Sequence, residues 1–255
     1  MAGPLTSARS TLTKGAQKLR RMILPLSDYE QTIPPEIIDD EFYEVIRLLA
    51  RTASISTALE IGSSTGEGST RAFVEGLHDN SNRPTLFCLE VSRPRFKKLV
   101  ARYSQDAQVR CYNLTSVSLD RFPTETEVIE FYSSHESKLN RIPLPEVLRW
   151  WRQDLHYLAR LPASQPGIQM IKQENGVETF GMVLIDGSEF SGRPELADVY
   201  GADYILLDDI GTFKNFGNHE RLSSDPNYAL RTRNESLRNG YAVFERQNPP
   251  LQTRT

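Results

Sequence analysis

The stretch 56–77, STALEIGSSTGEGSTRAFVEGL, constrains this chain more than any other. Residues 57–61 form a short apolar run that suits a buried strand. Gly62, Gly66 and Gly68 follow as a turn, and a helix opens near Ser69. That order brings a helix start and closely approaching backbone to the end of a strand. Glu60 closes the first run, and Glu90 closes the next one, residues 85–91. A carboxylate at the end of the second strand of such a unit can accept hydrogen bonds from both vicinal hydroxyls of a ribose. The stretch reads as a crevice for a nucleoside-containing cofactor.

The rest of the chain extends this unit. Ile37, Phe42, Val45, Ile46 and Leu49 recur at helical spacing, with Pro35 or Glu36 as the expected helix start. A helix with a basic face is predicted over 94–103 and a third strand over 109–114. Residues 119–176 break the rhythm. They are read as a helical insertion or lid, with helices over 124–139 and 145–161, the second carrying Trp150 and Trp151. Strands follow over 179–185, 204–207 and 241–246, with a short helix over 194–200. The polar stretch 218–238 is expected to hold a helix at its end. The order implies an α/β domain over 31–246, a doubly wound, Rossmann-like and mostly parallel sheet with right-handed crossovers.

Composition sets limits on partners. With 255 residues, 38% hydrophobic content and a net charge of −3, the chain suits one α/β domain and gives no electrostatic reason to expect nucleic acid. No run approaches the ~18 apolar residues of a membrane span. Cys88 and Cys111 both fall in apolar runs and read as buried thiols of a reducing, cytoplasmic compartment. Residues 1–30 form a basic tail, with Arg9, Lys14, Lys18, Arg20 and Arg21 and no acid before Asp28, and 247–255 form a second tail. A homodimer is compatible with the insertion.

Polar residues fall repeatedly at predicted strand ends: Glu60, Glu90, Asn113, Asp186, Asp208 and Asp209. In an open parallel sheet, ligands bind beyond those ends. The glycine spacing Gly-x-x-x-Gly-x-Gly differs from the dinucleotide fingerprint, which disfavours a nicotinamide-dependent oxidoreductase.

ALEIGSSTGEGS followed by LFCLEVS resembles the cofactor site of class I S-adenosylmethionine-dependent methyltransferases. The resemblance implies an antiparallel last strand. It places Glu60, Gly62, Ser63, Gly66 and Glu90 around the cofactor, with Asn113 near the adenine. VLIDGSEF and YILLDDI resemble the cation-dependent O-methyltransferases of the catechol, caffeoyl-CoA and macrocin type. That resemblance makes Asp186, Asp208 and Asp209 ligands of magnesium or another divalent cation, with Asp186 also at the cofactor and in catalysis. All-oxygen ligation suits such a cation, which would lower the pKa of a substrate hydroxyl. The implied activity is methyl transfer to a hydroxyl of a small molecule or sugar. The family often has a lysine or histidine three residues after the fourth-strand aspartate, where this chain has Glu189. Lys214 and His219 are the candidate general bases. Two alternatives stay open: a metal-independent methyltransferase of a polysaccharide or natural-product pathway, and a catalytically silent binding or scaffold protein. Cation dependence separates the first from the main reading, and cofactor binding bears on the second.

Overall fold

A computed structural model describes residues 31–161 and 166–247. The basic tail lies outside that range, as does the second tail except Gln247, whose N–H donates to the Asn227 carbonyl. Seven strands form one sheet: β1 (Thr57–Ile61), β2 (Thr85–Leu89), β3 (Val109–Tyr112), β4 (Met182–Ile185), β5 (Tyr204–Asp208), β6 (Tyr228–Asn234) and β7 (Tyr241–Arg246). Their order is β3-β2-β1-β4-β5-β7-β6. The first five run parallel, and β7 pairs antiparallel with both β5 and β6. The order reverses between β1 and β4, and that is where an open α/β sheet opens a crevice.

Among the described residues eight α-helices accompany the sheet: α1 (Glu41–Thr52), α2 (Ser69–His78), α3 (Arg93–Tyr103), α4 (Glu125–Ser134), α5 (Leu144–Leu158), α6 (Gly167–Asn175), α7 (Gly192–Val199) and α8 (Phe216–Ser224). Alternation along each strand builds two cores. Ala58, Cys88, Leu184 and Leu206 face α1, α2 and α3, where Phe42, Phe73 and Leu99 meet them. Leu59, Phe87, Val183 and Leu207 face the other layer, with Ile168 and Ile171 of α6, Leu196 of α7 and Leu222 of α8. A third cluster joins α4 and α5 through Val128, Tyr132, Val147 and Leu148 to Phe190.

Three expectations change. The first helix starts at Glu41, not at Pro35 or Glu36, because Asp40 caps it by accepting from the Tyr43 N–H at 2.9 Å. Such a cap is worth about 1 kcal/mol. The freed residues Ile33–Ile37 line the crevice instead. Within 119–176, α6 is no part of a lid, since it packs into the second core. The stretch expected to end in a helix holds strand β6, whose outer row (Arg231, Arg233) is exposed because it is the sheet edge. Its polar residues and the irregularity between Leu230 and Thr232 hide the apolar alternation that marks a strand. The helix itself comes earlier, as α8. Among the described residues no helix is long and apolar enough to cross a membrane.

Candidate active site

A cavity of about 350 Å³ opens at the carboxyl ends of β1, β2, β4 and β5. That lies within the size range of small-molecule and cofactor sites, about 300–1,000 Å³. One wall is the turn after β1 and the end of β2. Gly62 has φ +94°, and a Cβ there would stand 2.0 Å from the Asp186 carbonyl oxygen, so only glycine lets β1 and β4 end this close together. Glu90 is 4% exposed and lines the cavity. Its Oε2 accepts from the Ser64 N–H at 2.7 Å and its Oε1 from the Ser92 N–H at 2.6 Å. Burial raises its carboxyl above the ordinary range, and the two N–H groups and Arg95 oppose that rise. Pro34, Pro35 and Ile37 cover this wall, and Trp150, Asp154 and Leu158 of α5 reach it from the insertion.

The opposite wall is charged. Asp186 follows β4, and Asp208 and Asp209 end β5, with Asp209 held at φ 56°. Lys214 Nζ donates to Asp186 Oδ1 at 2.8 Å and to Asp209 Oδ2 at 2.7 Å. Arg238, from the β6–β7 turn, donates to Asp208 Oδ1 at 2.9 Å and also pairs with Asp40. Asn239 Nδ2 gives Asp209 Oδ1 another hydrogen bond at 2.9 Å. Burial alone would push the Lys214 ammonium down, yet Asp186, Asp209, Asp208 and Glu189 together hold it well above its ordinary value. Glu189 completes the wall. Its Oε1 accepts from Tyr132 Oη and its Oε2 from Thr212 Oγ1, each at 3.0 Å. Burial pushes its carboxyl up to about 7, with Lys214 pulling the other way.

Three solved structures overlay on almost the whole chain. An O-methyltransferase from Bacillus cereus in complex with SAH is 14% identical, covering 93% of this chain and 91% of that one at a TM-score of 0.53. A proposed caffeoyl-CoA O-methyltransferase from Staphylococcus aureus is 12% identical, covering 93% and 100% at 0.51. Cofactor-bound Rv0187 from MTB is 12% identical, covering 98% and 100% at 0.52. The chain has the class I methyltransferase fold. No family model matches its sequence, and no curated protein matches it.

Within that methyltransferase fold, the predicted residues divide. Gly62, Ser63, Glu90, Asp186, Asp208, Asp209 and Lys214 meet at the cavity. Glu60 does not line it: the side chain turns to the other face, where Ser69 Oγ and Thr70 Oγ1 each donate to it at 2.6 Å. Glu60 thus anchors the start of α2. Gly66 is absent from the lining too. It has φ +78°, and a Cβ there would lie 2.6 Å from the Tyr103 ring, so it lets the turn sit on α3. Asn113 donates Nδ2 to the Glu90 and Val91 carbonyls at 2.8 and 3.0 Å, bracing the end of β2 while Leu114, Thr115 and Ser116 line the cavity. His219 lies on α8 with its ring 5.9 Å from that of Phe244, away from the cavity lining. Lys214 donates to carboxylates on two sides, and their charges favour its protonated form. The predicted cation ligands do converge, one oxygen of each aspartate lying within 4.8 Å of the others. Lys214 already pairs with Asp186 and Asp209 and Arg238 with Asp208, so with the side chains as arranged a divalent ion on these aspartates would stand against the Lys214 ammonium, and the set does not fit one without displacing it. Glu189 and Trp150, outside the predicted site residues, also line the cavity. The sequence marks Glu189 as a departure from a family position and Trp150 as part of the helix read as an insertion or lid.

Proposed function

We propose that this chain transfers a methyl group from S-adenosylmethionine to a hydroxyl oxygen of a small molecule, a sugar or another polyol-bearing compound. Glu90 carries the reading. Its carboxylate faces the cavity at the end of β2, each oxygen is held by a single backbone N–H, and acceptor capacity remains for two vicinal hydroxyls. The Gly62 turn beside it, and a fold shared with a methyltransferase solved in complex with SAH, support the same cofactor.

The bound cofactor supplies an electrophilic methyl group on a positively charged sulfur. Orientation, proton removal and exclusion of water are then the work of the protein. Glu90 and the backbone of residues 63–65 bind the cofactor. Pro34, Pro35 and Leu158 shield it from water. Trp150 and Asp154 offer the acceptor an apolar surface beside a carboxylate, which suits a hydroxylated ring. Glu189 takes the hydroxyl proton as the oxygen lone pair turns to the methyl carbon. Tyr132 and Thr212 hold its two oxygens in place for this. A carboxyl raised to about 7 is matched to such a transfer at neutral pH. No step here uses a divalent cation.

Calorimetric titration with S-adenosylhomocysteine tests the cofactor assignment. Wild type is expected to bind in the micromolar range. Glu90→Gln keeps the shape but loses charge-assisted hydrogen bonds worth about 1.5–3 kcal/mol, a roughly 10- to 150-fold weaker Kd. Equal affinity in the variant removes the ribose assignment. No binding to wild type moves the chain to the binding-module reading.

A further inference from the structure

We infer that Lys214 is the resident cation of this site: its ammonium stands where a cation-dependent enzyme would hold a divalent metal ion, and it donates to the acceptor oxygen in the metal's stead. The position carries the argument. Asp186, Asp208 and Asp209 converge on one small volume. Nζ lies 2.8 and 2.7 Å from two of these three carboxylates, those of Asp186 and Asp209. A divalent ion bridging the same oxygens would have to approach the ammonium closely, where like charges repel strongly in a poorly screened pocket. Arg238 on Asp208 and Asn239 on Asp209 complete the neutralisation from the other side.

Lys214 is also built into the fold rather than swung in from the surface. It is 6% exposed. A Cβ at Gly192 would lie 1.9 Å from the Lys214 carbonyl oxygen, so the missing side chain at the start of α7 is what admits the Lys214 backbone. The next residue, Asn215, donates Nδ2 to the Ile185 and Asp208 carbonyls at 3.0 and 2.6 Å, tying the lysine loop to the ends of β4 and β5. Asn218 Nδ2 donates in turn to the Gly192 carbonyl and to Asn215 Oδ1, each at 2.8 Å. This framework fixes the ammonium between its two aspartates.

An ammonium has three protons to donate. Asp186 and Asp209 take two, and Lys214 borders the cavity, where the third can meet an acceptor hydroxyl. A fixed N–H aimed at an oxygen that gains negative charge lowers the barrier. Glu189, across the same wall, receives the proton. The site would therefore run with a lysine for the metal and a carboxylate for the lysine or histidine at the base position. This substrate role rests on the methyltransferase reading. The occupancy of the cation position does not.

The test is manganese binding followed by electron paramagnetic resonance, on wild type, Lys214→Ala and Asp208→Asn, with S-adenosylhomocysteine calorimetry alongside. Wild type is expected to leave the free manganese signal unchanged. Lys214→Ala, which opens the aspartates, is expected to bind manganese at least about tenfold more tightly than wild type. Stoichiometric uptake by wild type, lost in Asp208→Asn, would overturn the inference. So would a folded Lys214→Ala protein that takes up no manganese. If Lys214→Ala fails to fold by thermal melt, Lys214→Met replaces it, and the wild-type titration still decides. The manganese arms involve no cofactor, so their failure leaves the methyltransferase reading standing. Failure of S-adenosylhomocysteine to bind would sink that reading and leave the lysine assignment intact.

Discussion

The two walls of the cavity treat buried carboxylates in opposite ways. On the wall at the end of β2, Glu90 is held by backbone N–H groups of the Ser64 turn and of Ser92 at the start of α3. Each oxygen takes one of those donors, so acceptor sites remain for a ligand, while Arg95 and the two N–H groups oppose the rise that burial causes. On the wall at the ends of β4 and β5, three aspartates face two cations, Lys214 and Arg238, and each is engaged by one. Backbone donors present an acid; side-chain cations consume it. A strand-end carboxylate here is therefore a binding group where its hydrogen-bond partners leave it room.

Gly62 joins the two walls, and breaking it should have the largest effect. Gly62→Ala puts a methyl 2.0 Å from the Asp186 carbonyl and forces a side chain into φ +94°. β1 and β4 must separate, and the cost is expected to exceed about 4 kcal/mol. A chemical denaturation midpoint close to that of wild type would show that the walls are not coupled through this turn. Either neighbouring strand pair surviving alone would not rescue the cavity.

The charged wall can be probed next through Glu189. Glu189→Gln keeps both hydrogen-bond partners within reach but cannot take a proton, and a loss of about 100-fold in kcat is expected, with KM little changed. The charged groups facing Glu189 are Lys214, which lowers its pKa, and Asp209, which raises it; Tyr132 and Thr212 hydrogen-bond it. A base works ionised, so wild-type kcat should rise with pH through about 7 and level off above it. The glutamine variant should lose that limb. A variant that keeps the limb would assign the proton to another group.

Much of this arrangement is legible in the sequence, and the residues that escape share a physical reason. Continuous apolar runs mark β1, β2, β4 and β5 because both of their faces are covered, and the acids that end them mark the rim of the crevice. Which face an acid takes is set by strand parity. Glu60 shares a face with Ala58, turned toward α2, whereas Glu90 follows β2 and curls back to the turn. Strand-end position alone makes the two look equivalent. Lys214 is legible as a candidate base but not as an ion-pair partner, because Asp186 is 28 residues away and only the sheet brings them together. β6 escaped because an edge strand needs no second apolar face.

Glu60 offers the finest distinction, since it is a buried acid that serves neither wall. Thr70→Val removes one of its two hydroxyl donors while keeping shape, and an expected loss of about 1–2 kcal/mol follows from a buried acceptor left short of a partner. S-adenosylhomocysteine affinity should stay within about twofold, because the carboxylate faces away from the cavity. The pH dependence is the sharper readout. Burial raises the Glu60 carboxyl above its ordinary 4.5, so the native state holds this proton more tightly than the unfolded chain does. A group raised in this way takes stability away as pH climbs above about 4.5. Removing the Thr70 donor raises it further and steepens that fall. Melting curves of both proteins between about pH 5 and 8 should therefore diverge toward the alkaline end and converge toward the acid end. A deficit that is flat across that range would mean the hydroxyl supports packing alone, and Glu60 would lose its role as a charged anchor for α2.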